Sequence, residues 1–498
     1  MIFSSVQYLI FLPVVVFIYW RLKGRPRLLF TVAASYFFYM SWMPVYGVLL
    51  ALLSTVNWLL ARSIEDVNGK RGKGNLPAKL LLLSGLFLNV GALCYYKYAN
   101  FFFENLSLLV HAVAPVVPVF SAQLASYQAP LMAVFLPLGI SFFVFEFVHY
   151  LTDVYKGDKS VKSLFEFAAF AVFFPSQIAG PIKRYQDFLA QLRQPLVLDS
   201  ALMAEGTTLF MQGLFKKAAM ADPIGALILK PYDMTQMLSG PDAWIAVIGF
   251  TIQIYCDFSG YTDMGRGSAL LLGIRLPINF NLPLLCGDIS VFWRRWHISL
   301  STWLKDYVYI ALGGSRYGEW LQARNLFITM AISGLWHGAS WHFVLWGALH
   351  GVAMIVHHQW CRLLEAAPLL KRAAASTVGN GAAIIITQLF VALAFALFRA
   401  PDIPHAFNMW ASLLNFGGEA TLVEPLLKSG CLVIAGGYLA FWILIEYLRR
   451  HQTMFDGLLK GPDQSFLPQV RLATYTMAII LAVASKPLEA VPFLYFQF

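Results

Sequence analysis

The chain has 498 residues, of which 59% are hydrophobic and only 12% charged, with a mean hydropathy of +0.64 and a formal net charge of +10. Soluble domains carry about 25% charged residues; half that share, with repeated long apolar runs, excludes an ordinary soluble enzyme and predicts a polytopic helical membrane protein. No stretch has the two-residue alternation of an outer-membrane barrel, and the basic residues are too scattered for nucleic acid to be a partner.

The first apolar run, about residues 2–20, lacks a basic leading region and a small-residue cleavage site, so it reads as a retained helix rather than a signal peptide. Further helices are expected at 28–42, 45–61, 80–96 and 131–151. Between them lie loops 21–27 and 62–79, and a loop holding Lys156, Lys159 and Lys162, all basic. Residues 98–130, with Pro115, Pro118 and Pro130, suit an outer segment lying on or dipping into the membrane. The positive-inside rule places the basic loops in the cytoplasm and the N-terminus outside. From 164 to 312 the pattern is irregular, broken at Pro175, Gly180 and Pro181 and again from Asp257 to Asp263. Irregular backbone persists at membrane depth only where it is buried or lines a cavity, so re-entrant and tilted helices are expected here. Regular helices resume at 324–336 and 341–360, separated by Gly338-Ala339-Ser340. Loop 361–381 reads as inside, helix 382–398 runs outward, and loop 399–428 lies outside. Helices 430–448 and 472–485 follow and leave the C-terminus outside. The whole is one all-α membrane domain, with N-terminal helices over 1–163, a core over 164–360 and C-terminal helices with an aromatic tail over 361–498.

Histidine, arginine and tryptophan concentrate between Phe292 and His350. An ionisable side chain at membrane depth is by default a functional candidate. His337 lies 13 residues beyond Arg324, about 20 Å along a helix, and so past the middle of a hydrocarbon core about 30 Å thick. Gly338 and Ala339 leave room for a substrate, and a neutral imidazole there can take a proton from a hydroxyl. The alternative is a buried histidine bonded to a carbonyl. His297 follows Trp293-Arg294-Arg295-Trp296; the arginines could pair with phosphates or serve as an interfacial anchor. His342, Trp346 and His350 share a helix face, but eight residues span about 12 Å, too far for both histidines to reach one ion, so no metal site is expected. Asp257 and Asp263 read as a proton relay or as caps of broken helices. The cysteines Cys94, Cys256, Cys286, Cys361 and Cys431 form neither a disulfide framework nor a metal knuckle.

Two contiguous stretches, Phe292–Tyr307 and Gly334–Ala339, resemble the signature regions of the membrane-bound O-acyltransferase (MBOAT) family. Ile178–Pro181, Asp257–Met264, Asn279–Pro283 and the tail Pro492–Phe498 narrow the resemblance to its bacterial AlgI-like branch. That branch includes membrane subunits for alginate, cellulose and peptidoglycan O-acetylation and the D-alanylation protein of teichoic acids. Leu284 departs from the aromatic expected after Pro283 in alginate-type members.

The resemblance implies an MBOAT fold with about 10–13 membrane-embedded helices, some re-entrant, around a central tunnel. It also implies that His337 is catalytic, that His297 supports donor binding or catalysis, and that Tyr495 is a possible acyl relay. Arg294, Arg295, Trp296, Trp336, Asn281, Lys183 and Arg184 are the candidate donor-binding residues. Acetyl-CoA is expected as acyl donor, with no bound cofactor. The implied partners are the bilayer of the bacterial inner membrane and an extracytoplasmic protein that accepts or passes on the acyl group. Transfer of D-alanyl or another acyl group is the enzymatic alternative, and a proton-coupled transporter using His337, Asp257 and Asp263 is the alternative of another class.

Overall fold

A computed structural model describes residues 1–116, 127–133, 135–195, 197–234, 236–428, 430 and 436. Among them every regular element is a helix, as an apolar chain that must satisfy its backbone without water requires. The N-terminal helices are α1 (Val6–Arg21), α2 (Gly24–Met40), α3 (Pro44–Arg71), α4 (Leu76–Leu93), α5 (Ala99–Val113) and α6 (Ile140–Lys156). The middle holds α7 (Leu164–Ala171), α8 (Tyr185–Leu192), α9 (Ser200–Phe215), α10 (Asp222–Asp233), α11 (Gly240–Leu271), α12 (Ile289–Arg295) and α13 (Ile298–Leu304). Then come α14 (Glu319–His337), α15 (Trp341–Ala366), α16 (Pro368–Ala374), α17 (Thr377–Arg399), α18 (Ile403–Ser412) and α19 (Val423–Lys428).

Among the described residues, α3, the continuous run Leu76–Val116, α11 and α17 are long and apolar enough to cross a membrane. They differ in what covers them. The apolar window of α11 is 72% buried in protein, against 28–39% for the other three, so α11 is the central post and the others face lipid.

Several sequence expectations are corrected here. Helix α3 runs through most of the expected loop 62–79, because Ile64 is fully buried and Asn68 donates to the Tyr155 carbonyl; only Gly72–Asn75 remains as the link. The expected outer segment at 98–130 begins instead as helix: α4 passes through a π turn at Cys94–Tyr98 into α5. Helix α6 starts at Ile140 rather than 131, after Gly139 in the left-handed region (φ 75°). Asp257 to Asp263 does not interrupt α11. Lys217 bonds Asp257 at 2.8 Å and Asp222 at 2.7 Å, and Lys216 bonds Asp263 at 2.6 Å. Both lysines come from the π turn Lys216–Ala221 between α9 and α10. The two aspartates therefore do not cap broken helices; they fasten α11 to its neighbours. Much of loop 361–381 is helical, since α15 extends to Ala366, α16 follows, and α17 begins at Thr377. The helices expected at 430–448 and 472–485, and Tyr495, lie outside the described residues.

Helices α14 and α15 form a hairpin around Gly338–Ser340. Gly334 and Gly347 face each other at its crossing. A Cβ on Gly334 would overlap the Phe343 carbonyl oxygen, and one on Gly347 the Met330 carbonyl oxygen. Small residues permit this backbone approach, and it fixes where the last turn of α14, with His337, sits. Gly347→Ala is expected to lower stability by about 1–3 kcal/mol through overpacking, read as a lower thermal unfolding midpoint in detergent. An unchanged midpoint would mean that the crossing is not held as tightly as described.

Candidate active site

The two principal histidines sit at the ends of different helices. His337 is the last residue of α14, where Gly338 turns extended. His297 precedes α13 and adopts left-handed backbone angles (φ 43°, ψ 54°). Among the described residues only Leu282 and His297 do so without being glycine. Such a conformation costs roughly 1–3 kcal/mol and persists where surrounding contacts over-determine it. Those contacts are present: Ile298 donates to the Asn279 carbonyl at 3.0 Å and Asn281 to the Arg295 carbonyl at 2.9 Å, which pins segment 279–281 alongside 295–298.

The side chain of Asn279 completes the arrangement. Its Oδ1 accepts from the Ser299 backbone N–H at 3.1 Å and from the Ser299 hydroxyl at 2.9 Å, and lies 3.2 Å from Nδ1 of His297. An oxygen that already accepts two hydrogen bonds requires the third partner to donate too, so Nδ1 carries the proton. Nε2 is left as the basic nitrogen, and it has no hydrogen-bond partner among the described residues.

Trp336 touches both imidazoles, with ring centroids 6.1 Å from His297 and 4.9 Å from His337. The indole stacks on Phe145, which stacks on Trp303, and it meets Phe142 edge-on. His337 also packs edge-on against Trp346 and Phe398, each at 5.1 Å.

Two cavities lie near these residues, and Trp336 lines the smaller of them. One, of about 300 Å³, is lined by Ile298 and Ser299, the residues after His297, together with Lys183, Arg184 and Arg275. The Glu205 carboxylate forks onto the Arg275 guanidinium at 2.7–2.8 Å and raises its pKa above the usual value, so Arg275 stays charged. The other cavity, of about 130 Å³, is lined by His337, Trp336, Phe142, Lys97 and the segment Leu136–Ser141.

The remaining sequence candidates divide. Lys183 and Arg184 line the larger cavity, but Lys183 is bonded by both oxygens of buried Glu146 at 2.7 and 2.9 Å, and Arg184 by Asp306 at 2.6 Å. Arg294, Arg295 and Asn281 do not line it, and Arg294 and Asn281 are exposed. Trp296 is buried among Phe280, Phe292 and Phe395, as a core residue. His342 lies against the Ser340 hydroxyl at 2.9 Å, and His350 is buried among Trp293, Trp346 and Phe390. Asn279, Glu146 and Lys97 were not singled out from sequence. Glu146 and Lys97 each had a usable signal, as isolated charges within apolar runs; Asn279 had none that separates it from Asn281.

A family model described as "MBOAT, membrane-bound O-acyltransferase family" matches residues 19–398. The chain is 36% identical over 517 aligned residues to a protein of Pseudomonas putida named "Probable alginate O-acetylase AlgI", with both chains covered completely. It is 38% identical to the Pseudomonas aeruginosa protein of that name, covering 90% of this chain and 82% of the relative. It is also 33% identical to a Helicobacter pylori "Peptidoglycan O-acetyltransferase", over 78% of this chain and 74% of the relative.

If Asn279 fixes the His297 tautomer, Asn279→Ala should lower turnover by about 10–100-fold, as loss of a ring-orienting partner does elsewhere. Asn279→Asp, which keeps an acceptor for Nδ1–H, should retain more activity than the alanine variant. Steady-state kinetics on the two variants checks the order; equal losses would assign Asn279 a purely structural role.

Proposed function

The chain belongs to the membrane-bound O-acyltransferase family, and from that premise we propose that it moves an acetyl group from cytosolic acetyl-CoA to a hydroxyl on the opposite side of the membrane. The observation that carries this reading is the placing of His297 and His337 on either side of the Trp336 ring, with His337 and Trp336 lining one cavity and Ile298 and Ser299, next to His297, lining a second. The larger cavity gathers Lys183, Arg184 and Arg275, whose remaining N–H donors suit the phosphates of the donor. The smaller cavity, with His337, suits a single hydroxyl and the acetyl carbonyl. The names borne by the relatives support an acetyl group and a polysaccharide destination such as alginate or peptidoglycan; cellulose is a further proposed destination. An extracytoplasmic partner protein completes the delivery.

In this mechanism the acceptor oxygen attacks the thioester carbon, and His337 takes the hydroxyl proton. The carbonyl π pair moves onto oxygen. When the carbonyl reforms, the C–S bond breaks, and the thiolate receives the proton from the His337 imidazolium. A C–O bond has replaced a C–S bond and no net proton is consumed. His297, with Nε2 as acceptor, orients the donor on the cationic side. Tyr495, outside the described residues, remains the proposed relay at the acceptor side; Tyr495→Phe tests it, since full polymer acetylation in that variant excludes a carrier role.

Proteoliposomes supplied with radiolabelled acetyl-CoA and an extracytoplasmic acceptor give the direct assay. His337→Ala should reduce acceptor labelling by about 10³-fold, within the range for loss of a general base. Labelling by the variant at the wild-type rate would remove His337 from the chemistry and favour the transporter reading.

A further inference from the structure

Helix α14 ends at His337, so its last four carbonyls have no partner within the helix. Three of them are captured by Lys97 and Tyr98. The Tyr98 hydroxyl donates to the Leu335 carbonyl at 2.9 Å, and Lys97 Nζ donates to those of Trp336 at 2.6 Å and His337 at 2.9 Å. Both side chains come from the π turn Cys94–Tyr98. Such turns are frequent at functional sites, and this one aims two consecutive side chains at a single helix end.

Capping alone does not explain a lysine. Tyr98 satisfies its carbonyl with a neutral hydroxyl. The buried lysines Lys183, Lys216 and Lys217 are each paired with a carboxylate at 2.6–2.9 Å. Lys97 has no carboxylate partner among the described residues, holds only neutral carbonyls and the Trp336 ring (5.9 Å to its centroid), and lines the cavity that contains His337. An ammonium has three N–H donors, and the helix end takes two. Lys97 is half-buried, and a cation placed there without a counter-charge is poised to interact with negative charge that develops beside it.

We propose that Lys97 is a further catalytic residue. Its ammonium, held in place by the Trp336 and His337 carbonyls, donates to the acyl carbonyl oxygen and stabilises the negative charge that oxygen bears while the acceptor oxygen is bonded and the C–S bond is not yet broken. The charge returns to the C–S bond's sulfur as the carbonyl reforms, and Lys97 neither gains nor loses a proton. This assignment rests on the acetyl-transfer reading above.

The test uses the full chain in proteoliposomes with radiolabelled acetyl-CoA, comparing wild type, Lys97→Gln, Lys97→Arg and His337→Ala. Glutamine keeps a neutral donor for the helix-end carbonyls and removes the charge. Lys97→Gln should unfold at the wild-type temperature, keep the wild-type KM for acetyl-CoA, and lose about 10²–10³-fold in kcat, the loss seen when an oxyanion donor is removed. Lys97→Arg should recover part of that loss. Lys97→Gln turning over at the wild-type rate while His337→Ala is inactive overturns the Lys97 assignment and leaves the acetyl-transfer reading standing. A lower unfolding temperature in Lys97→Gln with no kcat difference from Lys97→Arg also overturns it, reducing Lys97 to a cap. Activity in His337→Ala instead overturns the reading underneath.

Discussion

A hydrogen-bonding or charged group carried into a bilayer finds no water to satisfy it, so its partner must come from the protein. The core is arranged around that requirement. Lys216 and Lys217 bond Asp263 and Asp257 and so lock α11 against the turn between α9 and α10. Glu146 on α6 holds Lys183, which precedes α8. Asn57 and Asn89 exchange amide hydrogen bonds between α3 and α4 at 2.7 and 3.0 Å. Breaking one such buried pair by removing a single partner costs about 3–5 kcal/mol, a large part of an ordinary domain's net stability of about 5–15 kcal/mol. These bonds are therefore the frame against which the histidines are placed.

Within that frame the site is built from opposites. His297 is held by polar contacts to Asn279 and by a strained backbone. His337 is held by aromatic faces and by the close crossing of α14 with α15. Trp336 lines the smaller cavity with His337, while Lys183, Arg184 and Arg275 line the larger one beside Ser299. Around His337 the neighbours are mostly aromatic rings, and in such a low-dielectric site fixed dipoles and charges act more strongly on a reacting carbonyl than they would in solution.

The all-helical membrane class and the helix-break-helix at Gly338 were legible in the sequence, because hydropathy and small residues act locally. The sequence misplaced boundaries where tertiary contacts overrule local polarity. Basic residues 62–71 read as loop, yet buried Ile64 and the Asn68 bond carry α3 through them. Asp257 and Asp263 read as breaks, yet lysines remote in sequence neutralise them in mid-helix. Arg294 and Arg295 are favoured by adjacency to His297 but do not line the cavity; Lys183 and Arg184, also expected from sequence, do, and they are joined by Arg275 from a distant segment. Lys97 reaches His337 across 240 residues of sequence, a separation no local pattern encodes.

The central claim is directional: donor and acceptor reach His337 from opposite faces of the membrane. Reconstituting the protein in vesicles of known orientation, with acetyl-CoA on one side and acceptor on the other, tests it most directly. The account predicts acceptor labelling only when acetyl-CoA is on the face bearing Lys183, Arg184 and Arg275 and the acceptor is on the face opposite. Equal labelling with both on one face, or with the two exchanged, would contradict it.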